Sequence, residues 1–353
     1  MRRTGLLLLG LAGVLAAPVP ASADIFFQNT RTGLNYTASD AGKRVRPFRT
    51  PKGVPKDELP TLSDDSKAGV FYGPGTTVTV ARVPSGRILK RGKVSACIVG
   101  GLANDLRHVL CSKFGTVNLN GKISAFDVKT LRGPLLSDHA RGADYSPDGK
   151  SVAWNEGSQV FVAAADGSGK RLLADLSTMG DDAPRANLGL AEWGPDQIAL
   201  FGQTASAAYD VWLIDPATGT PRRLTHLPPK DENCSGAAIQ PVAFSRDGSR
   251  LLAAGGFGEA IYRDVQSTDE DGNPTTVKEF VDCKETRGAY AVDLGNGSVR
   301  HLYNEDSSLD DPRLSRDGRS VLVTSGTSIY RVDYATGQAK RVLRNAAQFG
   351  WTG

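Results

Sequence analysis

Apolar residues along this chain come in short runs separated by tight polar turns, and four runs end on one phrase. It is an apolar or aromatic residue followed by Ser or Gly, any residue, and Asp. The copies are Tyr145-Ser146-Pro147-Asp148-Gly149, Trp193-Gly194-Pro195-Asp196, Phe244-Ser245-Arg246-Asp247-Gly248 and Leu314-Ser315-Arg316-Asp317-Gly318. A β-branched run follows the phrase, as in Ser151-Val152-Ala153-Trp154 and Ser320-Val321-Leu322-Val323. A second apolar run then closes on an Asp four residues ahead of a Gly: Asp215 before Gly219, Asp293 before Gly297, Asp333 before Gly337. Asp closes a turn through its side chain and Gly adopts positive φ, so this spacing predicts a hairpin between two strands. A short fourth strand follows, as in Lys340-Arg341-Val342-Leu343. The leading residues stand 48, 51 and 70 positions apart. One four-stranded propeller blade needs roughly 40–50 residues, and the long third step leaves room for an insertion.

Two weaker units precede these. Leu102-Ala103-Asn104-Asp105 lies 43 residues before Tyr145, and the runs at 69–72, 77–81 and 87–90 supply a second, third and fourth strand with no first. Phe349-Gly350-Trp351-Thr352-Gly353, with Trp351 placed 37 residues after Leu314, reads as that missing first strand. The expectation is an all-β, six-bladed β-propeller of four-stranded antiparallel blades, its ring closed by the C-terminal strand completing the N-terminal blade. The turns resemble those of the TolB-type six-bladed propeller, in which Ser-Pro-Asp-Gly-Lys recurs blade after blade; Ser146-Pro147-Asp148-Gly149-Lys150 matches it residue for residue. The resemblance covers residues 68–353 and implies a fold. TolB itself carries an α/β domain ahead of its propeller, where this chain has only residues 24–67, so the resemblance does not extend to a role in the Tol-Pal envelope system.

Residues 1–23 read as a secretory signal, with Arg2 and Arg3, an apolar core, and Ala21-Ser22-Ala23 at the cleavage point. That predicts a secreted or extracytoplasmic protein without a transmembrane anchor. Residues 24–67, with Pro47, Pro51, Pro55, Pro60 and the basic Lys43, Arg44, Arg46 and Arg49, show no clear period and are expected to form an irregular extension; 68–353 is the propeller. Removing the signal lowers the formal charge from +4 to +2, far from the strongly basic balance of a nucleic-acid binder. A monomer is expected. Four cysteines in an exported chain suggest two disulfides, and the expected pairs are Cys97 with Cys111, across one hairpin, and Cys234 with Cys283, joining loops on one face.

Carboxylates gather in the loops that a propeller presents on one face: Asp181 and Asp182, Asp231 and Glu232, Asp269, Glu270 and Asp271, and Asp310 and Asp311. These are the expected binding residues, for a protein or cell-envelope ligand. The same loops raise the question of a divalent cation, but residues 267–278 carry Ser267 and Lys278 where an EF-hand needs its first ligand and its bidentate Glu, so no cofactor or metal is assigned. No Gly-x-Ser-x-Gly elbow occurs, and no catalytic set is assigned. The sequence thus supports a non-catalytic binding scaffold. A secreted metal-dependent propeller hydrolase or lyase, lactonase-like, using His139, His226 and nearby acids at the channel mouth, is the alternative.

Overall fold

The computed structural model describes residues 24–58, 60–63, 67–73, 77–83, 85–93, 98–113, 121–229, 233–234, 236–269, 273–304, 312–315 and 317–352. Among these residues nearly every element is a short antiparallel strand, and the described strands fall into seven groups of four. The first sheet combines Ala346–Thr352 with Asp24–Asn29, Asn35–Ser39 and Arg46–Pro47. The second is Thr61–Leu62, Ala68–Gly73, Thr77–Arg82 and Ile88–Lys93. The third is Ile98–Leu102, His108–Lys113, Gly121–Asp127 and Leu135–Ala140. The fourth is Gly142–Tyr145, Ser151–Glu156, Gln159–Ala164 and Arg171–Asp175. Ala186–Trp193, Ile198–Gln203, Tyr209–Ile214 and Pro221–Arg223 form the fifth, touching the sixth through one parallel bridge from Tyr209 to Ala238. The sixth is Ala238–Phe244, Leu251–Thr268, Pro274–Val292 and Val299–Asn304, and the seventh Arg313–Leu314, Ser320–Ser325, Ser328–Asp333 and Ala339–Arg344.

Two expectations are corrected. Six sheets become seven, because residues 24–67 carry strands in place of an irregular extension. The C-terminal strand also does not complete the Val70 and Val78 unit. It pairs with Asp24–Asn29, Trp351 opposite Ile25, while Thr61–Leu62 supplies the first strand of the second sheet.

The apolar runs are continuous because both faces of each sheet are buried, so successive side chains serve opposite neighbours. In Gln159–Ala164, Val160 and Val162 pack toward the fifth sheet with Trp212 and Ile214, while Phe161 and Ala163 pack toward the third with Leu110 and Ile123. Apolar clusters of this kind join every consecutive pair of sheets. One more joins Leu322, Ile329 and Leu343 of the seventh to Ile25, Phe27 and Trp351 of the first. The third-to-fourth strand turns lock the same junctions. Gly42, at φ +72°, lies so close to the Val342 carbonyl that a Cβ would sit 1.9 Å from its oxygen, and Gly297 abuts Leu224 of the preceding sheet in the same way.

The repeated phrase explains itself as a turn. Ser146 donates to the Asp148 carboxylate at 2.7 Å and accepts from the Ser151 amide at 2.9 Å; Ser245 with Asp247 and Ser315 with Asp317 repeat the arrangement. These bonds favour the ionised carboxylate. The hydroxyls of Ser245 and Ser249 and the Ser249 amide pull Asp247 down to about 2, and Asp148 is lowered first by Ser146 and then by the Lys150 amide. Asp127, Asp166, Asp215 and Asp333 are lowered in the same sense by the amides and hydroxyls of their own turns. A carboxylate with a depressed folded pKa stabilises the fold above its unfolded pKa and loses that contribution as pH falls through the folded one. The melting temperature is therefore expected to hold down to about pH 4 and then fall steadily toward pH 2. Asp247→Asn should give a lower plateau and a shallower acid limb, as read by calorimetry across that range.

Candidate functional site

Consecutive antiparallel strands place the phrase turns on one rim and, on the other, the connections between sheets together with those joining second to third strands. The second rim is the freer one. Between the fourth and fifth sheets the 3₁₀ segment Leu176–Asp182, opened by Asp175 accepting from the Ser177 amide, presents Asp181 and Asp182 at the surface. Asp182 accepts from Arg223 Nη1 at 3.4 Å and lies 3.9 Å from His226 Nε2; its carbonyl takes the Trp212 indole at 2.9 Å. Arg223 reaches inward to Asp210, Nε at 3.0 Å and Nη2 at 2.5 Å. Asp210 is fully buried and accepts also from the Thr225 hydroxyl and the Leu227 amide. A polar chain thus runs from the exposed His226 through Asp182 and Arg223 to the interior.

Beside it, Arg141 Nη1 donates to Asn187 Oδ1 at 3.0 Å, and Asn187 Nδ2 donates to the Tyr209 hydroxyl at 2.9 Å. Asn187 holds φ +54°, a left-handed conformation uncommon outside glycine, and its two side-chain bonds span the first strand of the fifth sheet. The arrangement offers a fixed guanidinium, an amide and a phenol, which suit recognition by hydrogen bonding.

The sixth sheet adds a feature of another kind. Its second and third strands run on past their neighbours, pairing out to Thr268 opposite Pro274 with one bulge, at Val281 opposite the Ile261–Tyr262 step. The first strand supports this hairpin only to Gly256 and the fourth only from Gly288, so residues 257–268 and 274–286 form a two-stranded arm rising from the rim. Cys234 and Cys283 are joined, Cα to Cα 5.7 Å, pinning the arm to the loop that enters the sheet. Asn233 donates to the Tyr262 hydroxyl at 3.2 Å, Tyr262 packs edge-on against Phe280, and Arg263 pairs with Glu279 at 2.8 Å. Ile261, Tyr262, Val277, Phe280 and Val281 are exposed along it, Val281 to 52%.

The expected acidic face is only partly placed. Asp182 is committed to Arg223, and Asp269 closes the arm's tip by accepting from the Asn273 amide at 2.8 Å. Asp231, Glu232, Glu270, Asp271, Asp310, Asp311 and Cys97 lie outside the described residues; Cys111 is buried in the third sheet. His139 stands on the outer strand of the third sheet, exposed beside Asp138, and the structure does not bring it to His226. Among the described residues no three His, Cys, Asp or Glu side chains gather as a metal would require.

Asp210, Asn187 and Tyr209 were not singled out by sequence reasoning, and Arg223 reads there only as a basic residue of an outer strand, where charge discourages edge pairing. The one available signal was an acid inside the apolar run Tyr209-Asp210-Val211-Trp212-Leu213-Ile214, which asks for a buried cation.

Neither a protein-family model nor a curated protein matches the chain. Solved structures do. An oligogalacturonate lyase in complex with manganese superposes with a TM-score of 0.53 at 13% identity, covering 88% of this chain and 90% of its own. TolB from Acinetobacter baumannii gives 0.44 at 12% identity over 94% of this chain and 66% of its own, and Kuenenia stuttgartiensis hydrazine synthase 0.48 at 15% over 78% and 76%. At such identities the likeness shows the fold alone, and that fold is a β-propeller of four-stranded antiparallel sheets.

Proposed function

We propose that this protein is an exported, non-catalytic binding scaffold whose seven sheets close a ring and whose contact zone is the acidic loop rim with its arm. The arm carries the reading: a hairpin stiffened by a disulfide, an ion pair and an aromatic contact keeps apolar side chains in solvent, which costs stability unless something covers them. Preorganisation of that kind lowers the entropy lost on association. Ring closure is supported by the cluster shared between the first and seventh sheets and by Gly42 against Val342. Export is supported by the Cys234–Cys283 bridge, since such bonds persist in oxidising compartments. The acids of the rim and arm, Asp181, Asp182 and Asp269 among them, favour a partner with a basic surface.

Cys234→Ser is expected to free the arm while leaving the sheets intact. Amide exchange should quicken across 257–286, the urea midpoint should fall because the bond no longer restrains the unfolded chain over its 49-residue separation, and capture of a partner from a cell-envelope extract should fall. Equal capture by both proteins would remove the arm from the contact zone. Elemental analysis of the purified protein tests the scaffold itself: a stoichiometric transition metal lost on His226→Ala would assign metal-dependent hydrolase or lyase chemistry instead.

A further inference from the structure

We infer that the partner of the arm is a second copy of this chain, through the outer strand of its second sheet. Residues 257–286 hold eight acids (Glu259, Asp264, Asp269, Glu270, Asp271, Glu279, Asp282, Glu285) and three bases (Arg263, Lys278, Lys284), a net charge of −5. The mature chain is +2, so the remainder of the molecule is +7, the difference between +2 and −5. Arm and body are therefore oppositely charged within one sequence.

The body's positive charge has a matching apolar site. Ile88–Lys93 is the outermost strand of its sheet, paired only with Thr77–Arg82. With the preceding Arg87 it carries four bases and no acid, and Ile88 and Leu89 are both exposed beside them. The arm offers the complement: exposed Ile261, Val277 and Val281 flanked by Glu259, Asp264 and Asp282, on a ribbon with unpaired edges. Both surfaces are exposed in the single chain, so neither covers the other within it. Apolar contact and charge opposition then act together only between molecules, and two copies that exchange arms make two equivalent contacts. This takes the place of the monomer expected from sequence, and it rests on reading the arm as a contact element.

Sedimentation equilibrium of the full mature protein, with its disulfides intact, tests the inference. The wild-type mass is expected to rise with concentration toward that of a dimer and to fall back in high salt. Two variants separate the surfaces: Glu259→Lys/Asp264→Lys/Asp282→Lys turns the arm from −5 to +1, and Arg87→Glu/Lys90→Glu/Lys93→Glu turns the strand from +4 to −2. Arg91 is left in place because it bonds Thr79 and the Lys52 carbonyl. Each variant alone should remain monomeric with a wild-type melting curve, and an equimolar mixture should dimerise again, because each arm then meets a strand of opposite sign. A monomeric wild type overturns the inference, as does a dimer that survives either reversal or a mixture that stays monomeric. Were the wild type monomeric yet still able to lose its envelope partner on Cys234→Ser, only self-association would fall; loss of both results would remove the contact role of the arm.

Discussion

Trp351→Ala is expected to destabilise the protein by about 3–5 kcal/mol, the usual result of truncating a buried tryptophan. Deletion of residues 346–352 should leave no cooperative unfolding transition. Trp351 is 8% exposed and packs with Ile25, Phe27, Leu322, Ile329 and Leu343, and its indole donates to the Arg313 carbonyl at 3.2 Å. The side chain therefore packs the first sheet onto the seventh, whose chain runs directly into this strand; the seam that chain connectivity does not enforce is the pairing of Ala346–Thr352 with Asp24–Asn29. The strand contributes more than its tryptophan. Without it, Asp24–Asn29 keeps only Asn35–Ser39 as an antiparallel partner and becomes an open edge, and the buried Phe26 and Phe27 lose cover there. Whole domains have a net stability of roughly 5–15 kcal/mol, so loss of a strand and half a core cluster exceeds what remains. Urea denaturation followed by far-ultraviolet dichroism reads both effects. A deletion variant with the wild-type midpoint would mean that the first sheet is held by its remaining residues and that its contact with the seventh does not depend on this strand.

The fourth, sixth and seventh sheets were legible because in each the second strand begins after a side-chain-closed turn whose residue types are demanded by geometry, and the fifth carries the same phrase with Gly194 in the serine's place. Ser146, Ser245 and Ser315 all bond an Asp two residues on, and the chain writes the same letters each time. The first two sheets were harder to see for a physical reason. Ser63 bonds both backbone groups of Ala68, the role Ser146 plays toward Ser151, but Leu62-Ser63-Asp64-Asp65 has no glycine after its acids and follows a proline-rich stretch. With Leu62 included, the leading residues at 62, 102, 145, 193, 244, 314 and 351 give seven, one for each sheet. Asp24–Asn29 was hidden differently, since it begins its sheet as a second strand, with its first strand more than 300 residues away in sequence. Such pairing leaves no local signature.

The site was less legible than the fold. Of the carboxylates expected to bind a ligand, Asp182 and Asp269 serve the chain itself, one holding Arg223 and one closing a turn. Charge on a loop is visible in sequence, whereas its partner lies on another sheet. Pairing Cys234 with Cys283 was readable because both positions fall in connections that emerge on one rim. The form of the insertion between them and Gly288 was not. Its alternation of Ile261, Arg263 and Val265 with Tyr262 and Asp264 is ordinary strand patterning, but nothing in it says that the strands continue beyond their sheet.

Removing Asp210 is the second change expected to have a large effect. Asp210 is fully buried, and Arg223, whose side chain is 15% exposed, gives it two hydrogen bonds. Asp210→Ala leaves the largely buried guanidinium with only the Thr225 carbonyl and the exposed Asp182 as acceptors and strips the Thr225 hydroxyl and Leu227 amide of theirs, and breaking one side of a buried pair costs about 3–5 kcal/mol. Asp210→Asn keeps the shape and one acceptor, so it should fall between the two. The double change Asp210→Ala/Arg223→Met should cost less than the sum of the single changes, because no charge is then left stranded. The consequence reaches the surface, since Arg223 also holds Asp182, and Asp182 lies beside His226. A crystal structure of Asp210→Asn is expected to show the Leu176–Asp182 turn shifted from the rim while the six other sheets keep their places. Additive single and double effects would mean that Asp210 and Arg223 are not coupled, and that the order of the rim comes from the Trp212 bond to the Asp182 carbonyl alone.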